Sequence, residues 1–157
     1  MLLVTYGSFR KGGELSYYLD LLRDAGYSED MELPGLKIFV MGQVPGAVIT
    51  NNPDDVCVVE MIKADLDKES ESAYLTVLDQ VEGVLDIDQG LYKRDQIDTP
   101  KGKAIIYTIC SAVDGCVEIT DWNEWRKKSK AEMADAMDKA GDRAIIIPPT
   151  RTDIEYM

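Results

Sequence analysis

The sequence predicts an α+β fold, a small mixed β-sheet or barrel of about five to seven strands with two to three flanking helices. Three observations carry this expectation. Apolar runs that read as strands outnumber the segments with helical spacing. The helical segments fall between hairpin-like strand groups instead of alternating strictly with strands, which speaks against a doubly wound sheet. No internal repeat, low-complexity tract or Pro/Gly/Ser linker divides the 157 residues, and 45% of them are hydrophobic and 29% charged. That composition fits one globular domain over residues 1–157, long enough to bury roughly two-thirds of its unfolded surface without disulfides.

Taken along the chain, LLVTY at 2–6 reads as a buried strand, and the turn-like GSFRKGG then leads into a short helix. In that helix Leu15, Tyr18, Leu19 and Leu22 recur at spacings of three and four, and Gly26 supplies a stop. Pro34-Gly35 opens the strand LKIFV, and a second strand follows around QVPGAVI, where Pro45 and Gly46 mark a bend or an edge. NNPDD is a turn signal, and VCVVEMIKA at 56–64 is β-branched and apolar enough for a strand. From Lys68 the period changes: Tyr74, Val77, Leu78 and Val81 form a helical stripe that Gly83 ends. LYKRDQI and KAIIYTI, joined by TPKG, form a hairpin. A last helix starts near Thr120 or Asp121, because Asp121 and Glu124 have capping-box spacing; Trp122, Trp125, Met133, Met137 and Ala140 share one broad face, and Gly141 ends it. RAIIIPP returns as an edge strand that Pro148-Pro149 stops.

The composition excludes several kinds of chemistry. There is no histidine, so Ser-His-Asp, Cys-His and His-metal mechanisms fall away together. With 29 acids against 17 bases the net charge is -12, the wrong sign for a nucleic-acid partner or an anionic membrane surface. The opening MLLVTYGSFR is too short an apolar run for a signal peptide, and no stretch approaches the roughly 20 apolar residues of a membrane span, so the cytoplasm is the default location. Cys57, Cys110 and Cys116 form an odd set without a CxxC pair, which suits a reducing compartment and gives no metal-site spacing. Cys57 and Cys110 fall in runs that read as buried strands, where each packs as a small hydrophobe.

Three local features could carry chemistry. Tyr6-Gly7-Ser8-Phe9 follows a buried strand, with Gly12-Gly13 ahead of a helix. Its backbone N–H groups can form an anion-binding nest, or its glycines only turn the chain. The pattern is neither GxGxxG nor a Walker loop. Glu82, in LDQVEG, is the second feature. At 100° per residue from Tyr74, Leu78 falls at about 40°, Glu82 at about 80° and Leu75 at about 100°. A carboxyl pressed between leucines has its pKa raised toward the range of a general base; the alternative is an exposed Glu at a frayed helix end. Asp79, at about 140°, points further toward solvent. The third feature is Tyr92-Lys93-Arg94, where strand alternation sends Tyr92 and Arg94 to one face. Tyr92 either holds a substrate or is an edge-strand aromatic, and Arg94 either clamps a carboxylate or pairs with a structural acid. Between Asp54 and Asp98 there are 13 acids and four bases, so nine of the twelve excess negative charges lie in the segment carrying Glu82 and Tyr92. Such a surface is a solvated acidic face, or one that tolerates an ammonium-bearing substrate better than a polyphosphate.

In order, these features resemble the gamma-glutamylcyclotransferase-like superfamily. VTYGSFRKGG is similar to its strand plus YGTLxxG signature, and LDQVEGVLDIDQGLYKRDQI to its LDxxEG segment followed by YxR and a strand. LPGLKIFVMGQVPGAVI fits the two strands between, so the likeness spans approximately residues 2–109 and stands nearest to the gamma-glutamylamine cyclotransferase branch. The resemblance implies that family's fold and an enzyme that cyclises a gamma-glutamyl group to 5-oxoproline and releases an amine or amino acid, with a small-molecule gamma-glutamyl substrate, no metal and no organic cofactor. By the same resemblance Tyr6, Gly7, Ser8 and Phe9 hold the gamma-glutamyl moiety, Glu82 is the catalytic acid/base, Tyr92 lines the pocket and Arg94 supports the fold. Phe9 replaces the usual leucine, Glu14-Leu15-Ser16 stands where many relatives have Asn or Asn followed by His, and the acidic VLDIDQG at 84–90 reshapes the pocket rim. The alternative reading is a non-catalytic module on the same fold that binds a small metabolite or a protein. Past residue 110, and through the C-terminal helix and tail at about 120–157, the resemblance adds little; the Trp122/Trp125 helix reads as a lid, an oligomer contact or core packing.

Overall fold

A computed structural model describes residues 1–84 and 90–146. In chain order the elements are β1 (Leu2–Thr5), a 3-10 turn (Ser16–Leu19) running into α1 (Asp20–Asp24), β2 (Gly26–Pro34), β3 (Leu36–Val40), β4 (Pro45–Ile49), β5 (Val56–Ala64), α2 (Lys68–Val81), β6 (Tyr92–Thr99), β7 (Gly102–Ile109), β8 (Glu118–Ile119), α3 (Trp122–Trp125) and α4 (Lys130–Ala140). Five strands form one sheet in the order β2-β5-β1-β7-β6, and three form a second in the order β4-β3-β8. β1 runs antiparallel to β5 and parallel to β7, which makes the larger sheet mixed. The fold is the expected α+β arrangement, but its sheets stay open and do not close into a barrel. No helix among the described residues is long and apolar enough to cross a membrane.

Strand alternation divides the core into two layers. Val4, Val59, Met61 and Ile106 face the smaller sheet together with Leu36 and Ile38. Leu3, Ile62 and Tyr107 point the other way, beneath Leu19, Leu22 and Leu78 of the helical segments. Alternation also puts Glu60 on the face of Ile62, so its carboxylate is buried under α1.

Four expectations from the sequence are corrected. Gly26 does not simply stop a helix; it opens β2, which pairs with β5 along its whole length from Gly26 opposite Ala64 to Pro34 opposite Val56. GYSEDMELP is polar because β2 is an edge strand, with one face toward solvent. Gly26 is required there, since a Cβ would meet the Lys63 carbonyl oxygen at 1.8 Å. The C-terminal helix is two helices: α3, capped by Asp121 accepting from the Asn123 and Glu124 N–H groups, and α4, capped afresh by Ser129 accepting from Glu132 N–H. Trp122 and Trp125 pack as core against Val40 and Ala136, while Met133 is exposed. In RAIIIPP, Ile145 makes only an isolated parallel bridge to Gly42, and Pro148-Pro149 lie outside the described residues, as do residues 85–89 of the acidic insert. Cys110 sits exposed just past β7, whereas Cys57 is buried with its thiol donating to the Leu36 carbonyl at 3.0 Å. Burial pushes the Cys57 thiol up to about 11, which keeps it protonated and inert.

Candidate active site

A cavity of about 260 Å³ opens between the loop after β1, the C-terminal end of α2, the start of β4 and strands β6 and β7. Tyr6, Gly7, Ser8, Phe9, Glu82 and Tyr92 all line it, and so does Tyr107. Residues far apart in the chain are thus brought to one wall.

The loop's shape follows from its own hydrogen bonds. Arg10 N–H donates to the Gly7 carbonyl at 2.9 Å, Gly13 N–H to the Arg10 carbonyl at 2.7 Å and Leu15 N–H to the Ser8 carbonyl at 2.9 Å. Among the described residues the N–H groups of Gly7, Ser8 and Phe9 meet no acceptor. Ser8 Oγ is buried and also without a partner among them. A buried polar atom left unpaired is costly unless a bound group or water completes it, and these donors belong to residues that line the cavity. Gly7 packs against β4: a Cβ there would lie 2.4 Å from Pro45 Cγ. Gly7→Ala is therefore expected to push the loop off Pro45 and to destabilise the protein by about 1–3 kcal/mol, read by urea unfolding.

What holds the loop from behind was not evident in the sequence. Arg23 of α1 donates from Nε and Nη2 to both oxygens of Glu60, each at 2.7 Å, a bidentate pair. The same guanidinium donates to the carbonyls of Phe9 and Ser16, each at 2.7 Å, and Glu60 accepts Lys11 N–H at 2.8 Å. Burial pushes the Glu60 carboxyl up, but Arg23 and the Lys11 N–H outweigh it and hold it below the usual carboxylate range. Both ends of residues 9–16 are fixed by this one ion pair.

Glu82 is the C-cap of α2, its N–H donating to the Leu78 carbonyl at 2.8 Å, and Gly83 at φ 69° turns the chain away. The residue is half-buried on the cavity wall, and burial pushes its carboxyl up to about 8. No described residue donates a hydrogen bond to it, so desolvation acts on Glu82 without compensation. Among the described lining residues it is the one carboxylate, and none is a lysine or arginine.

The two tyrosines have partners of their own. Tyr6 OH donates to the Tyr107 carbonyl at 2.5 Å and accepts Ala47 N–H at 3.2 Å, so its hydroxyl ties β4 to β7. Tyr92 OH donates to the Pro45 carbonyl at 2.6 Å, leaving it only as an acceptor toward a ligand. Burial first, and then the Glu82 carboxylate, raise the Tyr92 pKa, so it stays a neutral phenol. Asp79 does not point to solvent as its helical angle suggested. It accepts from Tyr107 OH at 2.6 Å and pairs with Arg94, whose Nη1 lies 3.4 Å away, so Arg94 meets a structural acid.

No protein-family model matches the sequence, and no significant match is found among curated proteins. Solved structures do match. The uncharacterized protein PH0828 from Pyrococcus horikoshii is 23% identical, with a TM-score of 0.58 over 81% of this chain and 93% of that one. The protein ytfP from Escherichia coli is 28% identical, with a TM-score of 0.52 over 82% of this chain and 100% of its own. c4763, a uropathogenic E. coli-specific protein, is 17% identical, with a TM-score of 0.56 over 82% and 96% of the two chains. These matches show a shared fold, the gamma-glutamylcyclotransferase-like fold, so the resemblance drawn from the motifs holds at the level of the fold.

Proposed function

We propose that the protein is a gamma-glutamylcyclotransferase-like enzyme, which cyclises a gamma-glutamyl group to 5-oxoproline and releases an amine. The observation that supports this reading best is the meeting of Glu82, a carboxyl with its pKa pushed up to about 8, with the unpartnered donors of the Gly7–Phe9 loop on one cavity.

In this reading the loop N–H groups and Ser8 Oγ–H receive oxygen atoms of the gamma-glutamyl unit. The Glu82 carboxylate takes one proton from the α-ammonium. The freed nitrogen attacks the γ-carbonyl carbon, forming the ring C–N bond and placing negative charge on the carbonyl oxygen, which donors in the wall can steady. Glu82 returns its proton to the leaving nitrogen as the scissile C–N bond breaks, and the second ammonium proton departs with the amine. Such a proton shuttle contributes about 10²- to 10⁴-fold, and holding nitrogen against carbonyl contributes a comparable or larger proximity effect. A carboxyl near pH 8 in affinity suits both halves of the shuttle better than one near 4.5. Folding the substrate back on itself is the work of the cavity wall, which Tyr6 and Tyr92 keep in shape through their bonds to β4 and β7.

The test is product formation. Incubation with a panel of gamma-glutamyl amines and peptides, with 5-oxoproline and free amine quantified by mass spectrometry, is expected to give the two in equal amounts. Binding to the panel without 5-oxoproline from any member would replace the enzyme with a metabolite-binding module.

A further inference from the structure

The mouth of the cavity differs from its floor. Val81 is 39% exposed, Leu91 45% and Ile146 64%, yet all three line the cavity. Leu15 and Phe9 continue the same rim on the loop side. Large apolar side chains held open to water at one mouth are a surface that gains when something apolar covers it. Resting on the proposed reaction, we infer that this rim is a subsite for the leaving amine, and that the substrate class is gamma-glutamyl conjugates of uncharged, apolar amines.

The direction of the substrate follows from polarity. The glutamyl unit carries the charged ends, and its partners, Glu82 and the Gly7–Phe9 donors, sit on the wall with Tyr6 and Tyr92, which are themselves buried. The group beyond the scissile bond therefore points out past Val81, Leu91 and Ile146. A leaving amino acid would bring a carboxylate there, where the described lining residues supply no lysine or arginine to meet it. A diamine would bring an ammonium group that must lose water against valine, leucine and isoleucine. An alkyl or aryl group meets neither cost.

Three conjugates of equal length separate these cases: gamma-glutamyl pentylamide, the amide of 1,5-diaminopentane and the amide of 5-aminopentanoate, with the methylamide as the short reference. Each methylene covered by the rim is worth about fourfold. kcat/KM for the pentylamide is accordingly expected to exceed that of the methylamide by about 10- to 100-fold, and to exceed both charged analogues by at least about tenfold. Ile146→Ser and Val81→Ser are expected to lower the pentylamide-to-methylamide ratio severalfold, with circular dichroism and the unfolding midpoint as controls for the fold. Equal kcat/KM for the charged and apolar conjugates, or a ratio that the rim variants do not move, would overturn the subsite while leaving the cyclisation intact. A complete lack of 5-oxoproline, from the methylamide as well, would instead overturn the reaction and the subsite together.

Discussion

Arg23→Met is expected to destabilise the protein by about 3–5 kcal/mol, because it leaves the Glu60 carboxylate buried without its cation. The side chain of Glu60 is 1% exposed and that of Arg23 11%, so neither charge has water to fall back on. The loss should fall on the site as well as on the fold, since the same guanidinium holds the Phe9 and Ser16 carbonyls that frame the loop. Adding Glu60→Leu to Arg23→Met is expected to recover part of the loss, because an apolar pair needs no compensation, and a double-mutant cycle by urea unfolding measures it. The pH dependence has a definite sign. In the wild type the Glu60 carboxyl is held below its ordinary value, so its contribution is present above the unfolded pKa and is lost as pH falls through the folded one. Without Arg23, burial dominates and the carboxyl titrates high, so mild acid neutralises it. The gap between wild type and Arg23→Met should therefore narrow toward low pH. A gap below about 1 kcal/mol, the worth of an exposed pair, would contradict the buried clamp.

Glu82→Gln should abolish 5-oxoproline release, a fall of at least about 10²- to 10⁴-fold, while the fold stays intact. It should also stabilise. The folded carboxyl is pushed up to about 8, so it binds its proton more tightly than in the unfolded chain. Its contribution is full below the unfolded pKa and is lost as pH rises through the folded one. A neutral amide suffers no such loss. Glu82→Gln is expected to gain on the wild type progressively between the ordinary glutamate pKa and about pH 8, reaching on the order of 1–3 kcal/mol above that. Loss of turnover together with a gain in alkaline stability separates a strained functional carboxyl from one that merely supports the helix end. Full activity in the variant would remove Glu82 from the mechanism.

Much of the fold was legible because its strongest segments obey one period each. VCVVEMIKA at 56–64 and the Lys68–Val81 helix lie where their sequences predict them. β2 was missed because an edge strand has no need of an apolar outer face, and only Met31 and Leu33 mark its inner one. The break between α3 and α4 was signalled by Ser129 and Glu132, a second cap within an apolar pattern that looked continuous. At the site, helical angles placed Glu82 beside Leu78, and the structure puts it on the cavity wall. The same angles misjudged Asp79, since periodicity describes one helix and not the Tyr107 and Arg94 side chains that reach it from β7 and β6. Arg23 and Glu60 lie 37 positions apart, and nothing local to either announces the pair. The tyrosine hydroxyls show the same limit: their bonds to the Pro45 and Tyr107 carbonyls and the Ala47 N–H exist only once β4 lies against β7.

The pH profile of kcat/KM for 5-oxoproline release from a gamma-glutamyl alkylamide tests the role of Glu82 most directly. The rate is expected to rise with pH to a midpoint near 8, where the Glu82 carboxyl loses its proton, and to fall again as the substrate's α-ammonium is deprotonated. A rising limb centred near 4.5, the range of an ordinary solvated carboxylate, would contradict a desolvated Glu82 as the proton shuttle.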